Sequence, residues 1–315
     1  MKKLSLLLVT LCCLFSTVRY SYAFPLTVEH AQGTTVITQL PKRVAVFDLA
    51  SLDTMDALGV SAAGVPNANA FWPDYLKRYS NERYAKVGSL FDPDFDALKT
   101  LQPDLIIVSG RSRAAYPALS QLAPTIDLSL GDQQFVPGMQ RNISVLGEIF
   151  DKQDKAQELN TTLDKALASL KGQAPGTGLV LFTMKEHIIA HAPGERFGML
   201  YDLTGLTPIV NPAPPSPRAK PGSEAAKAQQ EARKLRLTTA LDNNPDWLVV
   251  LDRGAATGGE GIGAQTLAGN AQIANSKAWQ AKHVYYLNPR DWYLATGGYQ
   301  SVTKALNELQ ARFAD

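Results

Sequence analysis

The sequence predicts an α/β protein of two Rossmann-like lobes, each built on a central sheet dominated by parallel strands, the two joined by one long helix. Three observations carry that expectation. Short apolar runs alternate with helical patterns along most of the chain. A 21-residue stretch from Asp151 to Lys171 holds neither proline nor glycine. A nine-residue segment is echoed in both halves, as PDLIIVSGR at 103–111 and PDWLVVLDR at 245–253. The length of 315 residues also exceeds what one hydrophobic core usually serves.

Taken in order, residues 1–23 carry Lys2 and Lys3, an apolar run from Leu4 to Phe15, and small residues at Ser21 and Ala23 before Pro25. That pattern predicts a secretory signal peptide, with an apolar run too short to span a bilayer. Both cysteines, Cys12 and Cys13, fall inside it, preceded by Leu11 and Cys12 rather than by the small residue a lipid-attachment site needs. The exported chain therefore has no thiol, which removes cysteine catalysis and disulfide stapling together and suits the periplasm. Removing Lys2, Lys3 and Arg19 from 31 basic residues leaves 28 against 29 acidic ones. A net charge near −1 gives no footing for nucleic acid or an anionic membrane, so any cationic character that matters is local.

The first lobe, expected over 24–147, opens with a buried strand at Arg43–Phe47. Leu49, Leu52, Met55 and Leu58 follow at helical spacing and Gly59 stops that helix. A second helix around Asp94–Leu101 leads into the strand LIIVS at 105–109. The linking helix, within 148–172, sets Ala156, Leu159, Leu163, Leu167 and Leu170 on one stripe. GQAPGTG closes it, and LVLFTM at 179–184 starts the second lobe, 173–315. Residues 211–234, proline-rich and then polar and alanine-rich, read as a surface excursion, part extended and part short helix.

The echo matters most. Pro-Asp starts each strand, four apolar residues bury it, and Arg111 and Arg253 emerge at the carboxyl ends, the edge where open α/β sheets bind ligands. The alternative is that both arginines are simply solvated. No Walker loop, His-Glu-x-x-His helix or Gly-x-Ser-x-Gly elbow is present, and GGEGIG at 258–263 lacks dinucleotide spacing, so turn geometry accounts for it.

The segments LPKRVAVFDLASLDTMDALGV, YAKVGSLFDPDFDALKTLQPDLIIVSGR, GERFGMLYDLTGL, NPDWLVVLDR and NPRDWYLATGG, in that order, resemble the substrate-binding proteins of iron-siderophore ABC transporters, the subgroup that takes catecholate complexes. The resemblance runs over nearly the whole exported chain. It implies two α/β lobes on one helix with modest closure, a monomer without intrinsic cofactor, a ferric siderophore as ligand and an inner-membrane ABC permease as partner. It also implies that Arg111, Arg196, Arg253 and Tyr293 face the cleft.

The chemistry agrees, because a ferric ion wrapped by catecholates is a polyanion, and guanidinium groups stay charged while offering several donors each. Tyr293 is either a phenolate or hydrogen-bonding group or a core aromatic. Phe71, Trp72 and Tyr75 fall where the family lines its pocket mouth, with Trp72 the candidate to stack on a catechol ring. The family often sets a histidine where this chain has Pro221, which leaves Tyr293 and His191 as the candidates for direct iron ligation. Asp96 and Asp202, one per lobe, stand where relatives present carboxylates to the permease. The rival readings are a haem or corrinoid carrier and, from another class, an exported α/β enzyme.

Overall fold

The computed structural model describes residues 24–68, 71–131, 134–171, 173, 176–214, 217 and 219–314; the leader expected at 1–23 lies outside them. An antiparallel hairpin, β1 (Leu26–His30) and β2 (Gly33–Ile37), comes first. It is pinned to the neighbouring sheet by Ala31 N donating to Asp127 O at 3.0 Å and Thr35 Oγ1 donating to Thr125 O at 2.8 Å.

The first lobe is a five-stranded parallel sheet of β3 (Val44–Val46), β4 (Gly64–Val65), β5 (Ala85–Lys86), β6 (Leu105–Val108) and β7 (Thr125–Asp127), in the order β5-β4-β3-β6-β7. Every residue of β3 and β6 is buried, which is why both read as unbroken apolar runs rather than alternating ones. Helix α1 (Leu49–Ala57) follows β3. Asp48 caps it by accepting from Ser51 N at 2.7 Å, and Gly59 ends it at φ +76°. Helix α2 (Phe95–Leu101) starts one residue later than its sequence signal because Asp94 is its cap, accepting from Asp96 N and Ala97 N.

Helix α3 (Phe135–Ile149) leads into α4 (Gln153–Lys171) through Asp151, whose φ of +54° breaks the helical path. The helix expected to begin at Asp151 therefore begins at Gln153. At that junction Gly147 lies against Ala156 so closely that a side chain on it would collide with the Ala156 methyl. All five residues of the predicted stripe of α4 are buried. They face α3 from the first half and, from the second, α5 (Met199–Thr204) and the last helix of the chain. One helix thus shares its core with both lobes.

The second lobe orders its strands β10-β8-β11-β12, all parallel, where β8 is Thr177–Met184, β10 Thr207–Pro208, β11 Trp247–Asp252 and β12 Val284–Tyr286; β9 (His187–His191) pairs antiparallel on β8. The excursion departs from expectation. Its alanine-rich part is not a short helix but the start of the 19-residue α6 (Glu224–Asp242). Ser223 caps it, strong helix formers extend it, and Leu237, Ala240 and Leu241 anchor its far end, which a reading stopped at residue 234 misses.

The chain closes with α7 (Arg253–Ala256), α8 (Pro289–Leu294) and α9 (Tyr299–Ala314). Helix α9 returns to the first lobe. Asp53 of α1, fully buried, accepts from Gln300 N at 2.7 Å and Ser301 N at 2.9 Å, and so caps α9 across the lobe boundary. Among the described residues no helix is long and apolar enough to cross a membrane.

Candidate functional site

Strand order reverses between β3 and β6 in the first sheet, so the loops leaving their carboxyl ends diverge and open a crevice there. Asp48 follows β3 and Arg111 lies just beyond β6. In the second sheet Arg253 follows β11 directly, as the first residue of α7. Asp252 turns the chain there, its carboxylate accepting from Gly254 N and Gly263 N, each at 2.8 Å. The glycine-rich stretch at 258–263 thus folds back around a carboxylate, which disposes of a phosphate-cradle reading.

Arg196 comes from the loop between β9 and α5, held by its neighbour Glu195. The Glu195 carboxylate accepts from Ala192 N at 2.9 Å and Ala213 N at 3.1 Å and pairs with Arg236 at 2.9 Å. Burial pushes that carboxyl up, but His191, Arg236 and the two backbone donors outweigh it and bring it to about 2. Tyr293 sits in α8, whose start is capped by Asn288.

These side chains converge. The guanidinium carbons of Arg111, Arg196 and Arg253 stand 5.4, 5.1 and 5.9 Å from the centroid of the Tyr293 ring. Arg253 Nε donates to Tyr293 Oη at 3.1 Å, and Arg111 reaches across from the first lobe to donate to the carbonyls of Tyr293 and Leu294. The ring is backed by a stack, Phe182 at 6.1 Å and 17° and then Phe197 at 5.2 Å and 27°, with Arg196 over Phe197. Burial raises the Tyr293 phenol, but the Arg253 hydrogen bond and the charges of Arg253 and Arg196 win and hold it below its ordinary value. Burial also lowers Arg111. Among the described residues, none of the three arginines forms an ion pair. Three guanidinium groups around one phenol, with the Asp48 carboxylate near Arg111 as the lone acidic neighbour in the cavity they share, leave a surplus of positive charge that favours an anion.

Beside this cluster lies a cavity of about 340 Å³ between the lobes, walled by Arg111 and Arg196 together with Asp48, Ser51, Thr54 and Asn142. Sequence reasoning missed Asp48 and Asn142. A signal for Asp48 existed, since it leaves β3 at the same sheet edge from which Arg111 leaves β6. Asn142 lies within a helix and offered none.

Several expected residues fall elsewhere. Trp72 is only 4% exposed and packs in the core against Tyr79 at 6.2 Å, which leaves little of its ring free to stack on a catechol. Its proline and aromatic neighbours gave a mouth-like composition, but the bulk of the indole drew it inward. Tyr75 donates to the buried carboxylate of Asp53 at 2.9 Å. Phe71 reaches the other lobe, lying against Gly258, which has φ +78°. His191 does not join Tyr293. Its ring stands edge-on to Phe197 at 5.3 Å, its nearest ionisable group is Glu195 at 3.7 Å, and only 14% of its side chain is exposed. It packs beneath the site, and among the described residues no group of three His, Cys, Asp or Glu side chains is placed to hold a metal. Pro221 sits in an exposed turn ahead of α6. Asp96 of α2 is 92% exposed beside Lys99, and Asp202 is the exposed position of α5.

Residues 44–290 match the model of a protein family described as periplasmic binding protein. The petrobactin-binding protein YclQ of Bacillus subtilis is 34% identical over 292 residues, covering 90% of this chain and 87% of that one. Its crystal structure matches with a TM-score of 0.81 at 33% identity, over 92% of this chain and 99% of that one. The ferric-anguibactin-binding protein FatB of Vibrio anguillarum is 28% identical, over 90% of this chain and 86% of its own. The periplasmic catecholate-siderophore-binding protein VctP of Vibrio cholerae matches with a TM-score of 0.78 at 25% identity, over 91% and 99% of the two chains.

Proposed function

The chain belongs to the periplasmic binding protein family, and from that premise we propose that it captures a ferric siderophore of catecholate type in the periplasm, as a monomer, and delivers it to an ABC permease for iron uptake. Its work is binding and release, with no bond made or broken and no resident cofactor. The observation that carries the reading is the ring of Arg111, Arg196 and Arg253 around Tyr293, 5.1–5.9 Å from its centroid and drawn from both lobes. A ferric catecholate supplies the missing negative charge, spread over oxygens that accept from several guanidinium donors at once. The Tyr293 phenol, eased toward ionisation by Arg253, serves as a hydrogen-bonding partner or, deprotonated, as an oxygen ligand to iron. The relatives named for petrobactin, ferric anguibactin and catecholate siderophores support the ligand class. Asp96 and Asp202, exposed on helices of opposite lobes, are the carboxylates we assign to the permease contact.

The test is a fluorescence titration of the exported chain with a ferric tris-catecholate, run beside haem and cobalamin. Quenching by the ferric complex is expected, and replacing both Arg111 and Arg253 by glutamate should weaken binding by about two orders of magnitude or more. Equal affinity in parent and double variant, or tighter binding of haem or cobalamin than of the ferric complex, overturns the assignment.

A further inference from the structure

The cavity beside the arginines does not fit a purely anionic ligand. Of the charged residues that line it only Asp48 is acidic, and its carboxylate is half used. Oδ2 accepts from Ser51 N at 2.7 Å and from Ser51 Oγ at 2.8 Å, which is the work of a helix cap, whereas among the described residues nothing donates to Oδ1. Burial raises the Asp48 carboxyl, while the two Ser51 bonds and the field of Arg111 oppose that. Several of the other polar walls are engaged already. Asn142 Nδ2 donates to Leu128 O at 2.9 Å, Thr54 Oγ1 to Ala50 O at 3.1 Å, and Arg111 uses two of its five donors on the carbonyls of Tyr293 and Leu294, keeping the rest for an anion. Asp48 Oδ1 is therefore a charged acceptor without a donor among the described residues, in a chamber whose wall also holds Ser109, Thr296 and Arg196 and, on its apolar side, Leu128, Leu130, Phe135 and Leu146.

The electrostatics sharpen this once a ligand is present. Arg111 is the nearby cation that favours the charged form of Asp48. A polyanion seated on the arginine cluster neutralises that cation and leaves the Asp48 carboxylate sequestered without a counter-charge, an expensive arrangement. A ligand that also brings a cation to Oδ1 removes the cost, and an apolar wall suits the methylenes flanking an amine. The volume of about 340 Å³ lies at the small end of small-molecule sites, room for a linker arm beside the chelate.

We propose that this cavity is a second subsite of the cleft, with Asp48 as its specificity-determining residue, and that it accepts an amine-bearing arm of the siderophore. The proposal rests on the reading of the chain as a ferric-siderophore carrier and deepens it by naming the class of siderophore: an anionic chelate on a linker with a protonated nitrogen.

The probes are two ferric bis-catecholamides on a diethylenetriamine linker, one with its central amine free and the other with it acetylated, titrated by fluorescence at pH 7. The arginine cluster alone favours the acetylated complex, which carries one positive charge fewer. A preference of the parent protein for the free amine by about tenfold or more is therefore the signature of Asp48. Asp48→Asn keeps a residue that caps helices as well as aspartate does, and is expected to lose the preference, read as the ratio of its affinities for the two probes, in which any change in the pull of Arg111 on the shared chelate cancels. Equal affinity of the parent for both probes, or an undiminished preference in Asp48→Asn, overturns the subsite while leaving the carrier function standing. The comparison in the parent decides against the proposal without any variant, so poor folding of Asp48→Asn does not protect it. Binding of neither ferric probe by the parent brings down the carrier reading, and the subsite with it.

Discussion

Replacing Asp53 by asparagine tests how the two lobes are joined. The Asp53 carboxylate, fully buried in α1, accepts from Gln300 N at 2.7 Å, from Ser301 N at 2.9 Å and from Tyr75 Oη at 2.9 Å. Burial lifts its carboxyl from 3.8 to about 7, against the pull of those three donors. The folded protein therefore keeps a proton on Asp53 over an interval in which the unfolded chain has released it. The stability from this group is full below about pH 4 and is lost as pH rises through 7. For a carboxyl at 3.8 unfolded and about 7 folded, the loss between pH 5 and pH 8 is on the order of 2–3 kcal/mol. Asparagine does not titrate, and its amide accepts at one oxygen only, so one or two buried donors lose their acceptor at about 1–3 kcal/mol each. The variant should thus be less stable than the parent by roughly 3 kcal/mol at pH 5, with the gap closing by most of that amount at pH 8. Urea unfolding of both proteins at pH 5, 6, 7 and 8 measures the gap, and titrations common to the two cancel in the difference. A gap that is constant or widens with rising pH refutes the argument.

Two further expectations follow from the loops around the cleft. Gly258→Ala puts a methyl into the Phe71 ring at a position with φ +78°, and should cost about 1–3 kcal/mol in urea unfolding. Adding Phe71→Ala should return part of that loss, and strict additivity of the two substitutions would show that the rings and the loop do not touch. Glu195, brought from 4.5 to about 2, contributes stability above about pH 4.5 that is lost as pH falls toward 2. Glu195→Gln should flatten the acid side of the stability profile between pH 5 and 3 and weaken ferric-catecholate binding by loosening the Arg196 loop. An unchanged acid profile removes Glu195 from that role.

Much of the architecture was legible because it depends on local pattern. Unbroken apolar runs at 44–46 and 105–108 mark strands buried on both faces, and a stripe at helical spacing marks α4. The echoed Pro-Asp strands placed Arg111 and Arg253 at carboxyl edges, which needs only that each strand enter a parallel sheet. Arg196 and Tyr293 entered through family resemblance, since nothing in their own neighbourhoods marks them as partners. Trp72 shows the opposite limit. An aromatic-rich loop has the same composition whether its rings face a ligand or the core, and here Tyr79 and burial decided the matter.

By itself the sequence determined two parallel sheets, the helix between them and the edge at which two arginines would surface, all of which are set by repeats a few residues long. The packing of one lobe on the other decided the rest: the meeting of Arg111, Arg196 and Arg253 on one tyrosine ring, the cap that Asp53 supplies to a helix some 245 residues further on, and the acidic wall that Asp48 gives a cationic cleft. The physical reason is range. Backbone periodicity is settled by neighbours along the chain, whereas the distance between charges far apart in sequence is settled only when both cores are buried and the lobes dock.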